Sequence, residues 1–286
     1  MLGHYPNTIE PVCYQLANLS LHGLASGDSS KPPLLCLHGW LDNAASFIPM
    51  LPHLLDRQVI AIDWPGHGYS SYRNDHYHFI DWLYDLLQLF ELNKWQQIDI
   101  VGHSMGGMIA TAFASSFPER VKSLTLIDAF GFITEQPSNT TEQLRKGLLQ
   151  RLKSRDANKK FHPDLASAVK ARLAVSDLTE DNARLIVERG LVRAEQGFVW
   201  RADPRLRLAS PYRFSTEQAE QLMKDLAIPV QLIQASDGLE LVGRGVDYYG
   251  KFVSQLVHHN IDGGHHVHME QPEQVAQLIL AFISAK

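Results

Sequence analysis

Short, mainly apolar runs alternate with helical patterns over most of the chain. The runs fall at residues 34–37, 59–62, 98–101, 124–127, 230–233 and 256–261. Between them lie amphipathic stretches, clearest where Phe79, Ile80, Leu83, Leu86, Leu87 and Phe90 fall at the spacing of a single apolar stripe. Strand–helix alternation of this kind predicts a mostly parallel sheet covered by helices on both faces. The opening segment breaks the pattern. Candidate strands at 12–16 and 19–24 are separated only by a turn at Ala17-Asn18, which predicts an antiparallel hairpin at the sheet edge.

The alternation stops between Phe130 and about Arg213, where amphipathic helical stretches at 142–152, 164–174 and 180–191 take over. Asp177 reads as an N-cap with Glu180 three residues on, and Ser215 with Gln218 makes a second capping-box pattern as the chain returns to the main fold. Three regions are therefore expected: residues 1–130 and 214–286 as two parts of one core, and 131–213 as a helical insertion.

A chain of 286 residues, 45% apolar and 20% charged, can bury a full core as one large domain or a domain with an insertion. A formal charge of −5, with no basic stripe carrying aromatics, excludes a nucleic-acid binder. The first seven residues lack a basic and apolar leader, and no apolar run approaches the roughly 20 residues of a membrane span. A cytoplasmic location is expected. Cys13 and Cys36 lie in apolar, strand-like segments and read as buried free thiols. His265, His266 and His268 have no second ligand cluster at suitable spacing, so neither a metal nor a cofactor is expected.

The chemistry begins at Gly102-His103-Ser104-Met105-Gly106, a G-x-S-x-G motif after the strand-like 97–101 and before small and apolar residues suited to a helix. A sharp strand-to-helix turn would present the Ser104 hydroxyl at the helix N-terminus. Such a hydroxyl needs a base, and the base needs a carboxylate to orient it. His265, preceded by Gly263 and Gly264 and placed between the last strand and the last helix, is the base candidate.

With Leu37-His38-Gly39-Trp40 after one strand, Asp63-Trp64-Pro65-Gly66-His67-Gly68 after the next, the Ser104 motif, and Gly264-His265 followed by Glu270-Gln271-Pro272, the chain resembles an α/β-hydrolase along nearly all its length. Residues 39–47 and Asp203-Pro204-Arg205-Leu206 are most similar to the serine hydrolase-like protein branch. The resemblance implies a central, mostly parallel sheet flanked by helices, with 131–213 as a helical cap over the site. It also implies an oxyanion hole from the backbone N–H groups of Trp40 and Met105, with His38 bracing the first loop and His103 as packing or a minor substrate contact.

The acid has two candidates. Asp237, after the penultimate strand, lies near the usual position in this family and is preferred, although its segment is about one residue shorter than the common pattern. Asp128, after the preceding strand, is the alternative that some relatives use. Asp63 reads as a turn former, and Trp200 and Met223 as core or pocket wall. Leu148, Leu165, Leu173 and Leu185 are expected to divide between the cap's own packing and the pocket wall. Arg145, Lys146, Arg151, Lys153, Arg155, Lys159 and Lys160 read as a solvated face, with an acidic carrier protein as the sharper alternative.

The activity implied is hydrolysis of a small or medium carboxylic ester or thioester through an acyl-enzyme. The alternatives are a C–C bond hydrolase, perhydrolase or lyase on the same scaffold, or a ligand receptor with little turnover.

Overall fold

The computed structural model describes residues 9–153 and 161–285. Residues 1–7, which carry the reading of the N-terminus, and Arg155, Lys159 and Lys160 lie outside the described residues. The chain opens with the antiparallel hairpin β1 (Ile9–Gln15) and β2 (Ser20–Ser26), with β1 at the sheet edge as expected. Cys13 is exposed on this edge strand rather than buried, because strand alternation turns it outward to meet His22 across the pair. Cys36 is buried in β3, and burial pushes its thiol up.

The parallel part follows: β3 (Pro33–Leu37), β4 (Gln58–Ile62), α1 (Phe79–Asn93), β5 (Ile98–His103), α2 (Met105–Ser116) and β6 (Val121–Ile127). After β6 come α3 (Thr140–Lys153), α4 (Leu165–Leu173), α5 (Glu180–Gly190), the hairpin β7 (Leu191–Ala194) with β8 (Gly197–Trp200), and α6 (Thr216–Lys224). The sheet resumes with β9 (Val230–Asp237), α7 (Glu240–Tyr249) and β10 (Leu256–Gly264), and the chain ends in α8 (Val267–Glu270) and α9 (Pro272–Ser284).

The eight main strands lie in the order β1-β2-β4-β3-β5-β6-β9-β10, parallel from β4 to β10. After β4 the chain crosses over β3 to form β5, so β5 stands where the strand order reverses. In open sheets the crevice for ligands lies beyond the strand ends at that point. Apolar clusters cover both faces of the sheet, with Trp64, Phe90 and Phe113 in one and Phe47, Met50 and Ile233 in the other. In α1 the buried face runs through Trp82, Leu86, Leu89 and Phe90. Ile80 falls outside that face and is exposed, so the expected stripe is displaced at its first turn.

The insertion between β6 and β9 carries its own small core of Ala168, Val169, Leu178, Ala183, Ile186 and Val187. Leu165 and Leu173 pack on it, and Leu185 touches both this cluster and the main core. Trp200 is half-buried beside it, donating to His162, whereas Met223 belongs to the main core. The β7–β8 hairpin makes the insertion less purely helical than its sequence pattern implies. Its two strands are four residues each, too short to show a period of two.

Two capping expectations separate. Ser215 and Gln218 form the capping box of α6. Asp177 does not cap α5. Thr179 does, accepting the Asn182 N–H, and Asp177 is occupied elsewhere.

Candidate active site

Ser104 follows β5 directly with φ at +51°, a region that L side chains rarely adopt, and precedes α2. Its N–H donates to the Ile127 carbonyl at 3.2 Å, which ties the turn to the end of β6. The turn is tight enough that a Cβ at Gly106 would lie 2.1 Å from the Leu37 carbonyl oxygen, so only glycine allows α2 to start so close to β3.

Asp128 begins one residue after β6, also at positive φ, and its N–H donates to Ile233 at 2.8 Å. Its carboxylate is fully buried. Oδ2 accepts the Leu239 N–H at 3.0 Å and lies 2.6 Å from His265 Nδ1, and Oδ1 accepts the Ala235 N–H at 3.3 Å. With Nδ1–H held by the carboxylate, Nε2 is the basic nitrogen of the His265 ring.

Asp237, the preferred acid by sequence, does not reach His265. It is exposed at the end of β9, with Ser236 Oγ 3.3 Å from its Oδ2. The neighbouring Gly238 serves Asp128 rather than Asp237, since a Cβ there would fall 2.4 Å from Asp128 Oδ1. The carboxylate position beside His265 therefore belongs to the alternative, Asp128.

The loop after β3 closes on Ser104. A Cβ at Gly39 would stand 3.1 Å from that of Ser104, which places Trp40 beside the elbow. Two buried histidines hold this loop. His38 Nδ1 donates to the Gly39 carbonyl at 2.7 Å and Nε2 accepts the Trp64 N–H at 3.0 Å. His67 Nε2 accepts the N–H of Leu41, a residue at positive φ, at 3.2 Å. Burial lowers both rings, His67 to about 3, so both stay neutral and can accept. The Trp40 side chain is half exposed and its indole donates to the Leu206 carbonyl. Met105 is the first residue of α2, where backbone N–H groups have no partner within the helix.

His103 is fully buried and does more than pack. Its Nε2 donates to the His265 carbonyl at 2.9 Å, and burial, with the rings of His268, His265 and His266, holds its ionisation well below the ordinary range. Glu270 accepts the Gly264 N–H at 3.0 Å, so the loop bearing His265 is pinned on both sides. His268 is buried against Phe47 and His103, and burial lowers it to about 3.

Among the described residues, no group of three His, Cys, Asp or Glu side chains is arranged to hold a metal ion, and no helix is long and apolar enough to cross a membrane.

A family model described as alpha/beta hydrolase fold matches residues 32–272. A serine hydrolase-like protein of Danio rerio is 32% identical over 278 residues, covering 92% of this chain and 85% of that protein. The chain belongs to the α/β-hydrolase superfamily, in its serine hydrolase-like branch. Serine hydrolase-like protein 2 of Homo sapiens is 31% identical over 281 residues, 91% of this chain and 89% of that relative. A hypothetical protein from Pseudomonas aeruginosa PAO1, known as a crystal structure, shares the fold with a TM-score of 0.91 at 31% identity, covering 97% of this chain and 100% of that one. The sheet described above is the α/β-hydrolase sheet expected from the sequence motifs.

In this α/β-hydrolase an ionic network centred on buried His266 and Asp42, unread in the sequence, ties the insertion to the core loops around Ser104. His266 Nδ1 lies 2.5 Å from Asp177 of the insertion and Nε2 lies 3.3 Å from Asp42 of the Trp40 loop. Arg172, also of the insertion, stands 2.5 Å from Asp42 and 3.3 Å from His266, so two cations converge on one carboxylate. Burial disfavours a charged His266 ring, but Asp42 and Asp177 outweigh it and raise the ring to about 9.

Asp63 is likewise more than a turn former. Its buried carboxylate accepts from Nε and Nη2 of Arg189 of α5 and from the N–H of Ala44 and of Tyr69. Neutral-looking positions such as Asp42 and Asp177 carry no local signal of these roles, since their partners are more than eighty residues away.

Proposed function

We propose that the chain is a serine hydrolase that cleaves a small or medium carboxylic ester or thioester through an acyl-enzyme. Ser104 Oγ attacks the carbonyl carbon as His265 Nε2 takes its proton. Asp128 holds the ring in the productive tautomer and stabilises the imidazolium that forms. The backbone N–H groups of Met105 and Trp40 receive the developing oxyanion. His265 then protonates the departing alcohol or thiol, and a water, deprotonated by the same ring, releases the acid and restores Ser104. The observation that carries this reading is the 2.6 Å contact of His265 Nδ1 with buried Asp128, next to a strained elbow serine.

Residues 131–213 act as a cap in this account. The contacts Asp177–His266, Arg172–Asp42 and Arg189–Asp63 support it, because all three core partners sit on loops at the carboxyl ends of the strands. The test is turnover of a panel of p-nitrophenyl and CoA esters by the wild type and Ser104→Ala. Measurable wild-type hydrolysis is expected, lowered by several orders of magnitude in the variant. Equal turnover by both would end it, and activity confined to C–C bond cleavage would replace it.

A further inference from the structure

Helix α3 is turned inside out. Its inward face is polar: Gln143 donates to the Ser210 carbonyl at 3.1 Å, Gln150 accepts the Ala209 N–H at 2.7 Å, and Gly147, the buried residue of the helix, rests against Pro211. The outward face holds leucines. Leu144, Leu148 and Leu152 follow one another at four-residue spacing, 41, 55 and 64% exposed, with Leu149 beside them at 44%. At 100° per residue the three span an arc of about 80°. Arg145, Lys146 and Lys153 lie exposed along one flank of that arc, and Arg151 on the other reaches His78. These four cations face a single carboxylate within the helix, Glu142, although the chain as a whole carries a charge of −5.

An ordinary surface helix buries its apolar face and wets its polar one. A contiguous leucine stripe left outward and rimmed by cations marks an interaction surface. We propose that α3 is an interfacial helix that docks on an anionic lipid layer, its leucines entering the boundary between headgroups and acyl chains and Arg145, Lys146 and Lys153 pairing with lipid phosphates.

The chemistry of the face selects this occupant. Long basic side chains beside an apolar stripe lay their stems along the acyl layer and their charged ends at the phosphates. A second copy of this chain, meeting the face about a two-fold axis, would set these cations against themselves. An acidic carrier protein bound by charge alone would leave four leucines in water.

The docked helix is joined to the rim of the candidate site by a short stretch. Leu206 accepts the Trp40 indole N–H at 3.2 Å, Arg207 lies 5.7 Å from the indole ring, and Ser210 and Pro211 carry α3. Presentation of a lipid ester to Ser104 would follow, which rests on the hydrolase reading; the docking itself does not.

The test is co-sedimentation of the full chain with phosphatidylcholine vesicles and with vesicles of phosphatidylcholine mixed with phosphatidylglycerol, with Tm as the check on folding. Wild type should bind the mixed vesicles, less so as salt rises. Lys146→Glu with Lys153→Glu should lower that binding about tenfold or more, and Leu148→Ser with Leu152→Ser should lower it on both vesicle types. Absence of wild-type binding, or equal binding by folded variants, overturns the proposal. So does a wild-type dimer that Leu148→Ser with Leu152→Ser turns into a monomer. A complex with an acyl carrier protein in place of vesicle binding would reassign the face to an acidic partner.

Discussion

The carboxylate of Asp128 occupies the space that a side chain at Gly238 would fill, 2.4 Å from the Cβ position. The glycine is thus part of the seat of the proposed acid. Gly238→Ala should push Asp128 off its 2.6 Å contact with His265. A displacement on the order of 1 Å at a triad can cost about a hundredfold in rate, so kcat should fall by roughly that factor with KM little changed. Unaltered kcat in the folded variant would show that Asp128 does not need its present seat.

Asp128 and Asp237 make a direct comparison. Asp128→Asn keeps the shape of the acid but removes the charge, and should lower turnover by about 10⁴ through loss of the productive tautomer. Asp237→Asn alters an exposed side chain and should leave turnover within about twofold. Steady-state kinetics on one ester decides, and the reverse ranking would return the role to Asp237.

Much of this architecture is legible in the sequence, because buried parallel strands read as nearly continuous apolar runs and a serine turn between a strand and a helix has its own signature. The carboxylate partner of His265 is not. Asp128 and His265 are 137 residues apart, and the glycine that looks as if it frees Asp237 instead makes room for its competitor. Leu148 shows a second limit. Its spacing fits cap packing, yet the inward side of α3 is taken by Gln143, Gly147 and Gln150, which leaves the leucine outside. Asp177 shows a third: its position before α5 satisfies the local capping rule, but the tertiary contact with His266 takes its carboxylate.

The His266 network gives a pH dependence whose sign is determined. The ring is raised from an ordinary value of 6.5 to about 9, so its contribution to stability is fully present below 6.5 and is lost as pH rises through about 9. A shift of that size corresponds to about 3 kcal/mol, a gap of several degrees in Tm. The groups facing the ring are Asp42, Asp177, Arg172, His103, His265 and His268. Against the desolvation that would raise them, Asp42 is lowered well below 3.8 by Arg172 and then His266, and Asp177 is lowered by His266, so their contributions fade only in acid, outside this window. The Tm gap between wild type and His266→Gln should therefore be widest just below pH 6.5 and narrow steadily as pH rises from 6.5 through about 9. A gap that stays constant across this range would contradict a charged His266.

Loss of the ties between insertion and core should act mainly on substrate capture. Asp177→Asn weakens the His266 contact without touching Ser104, His265 or Asp128, and is expected to raise KM more than it lowers kcat. Equal losses in kcat and kcat/KM would show instead that the network serves the chemical step.

The proposed mechanism stands or falls on Ser104 as the activated nucleophile. Its most direct test is reaction with a fluorophosphonate followed by peptide mass spectrometry to locate the adduct. One adduct is expected, on Ser104, absent in Ser104→Ala and formed far more slowly in His265→Ala and Asp128→Asn. An adduct at another residue, or an active wild-type protein that stays unmodified, would contradict it.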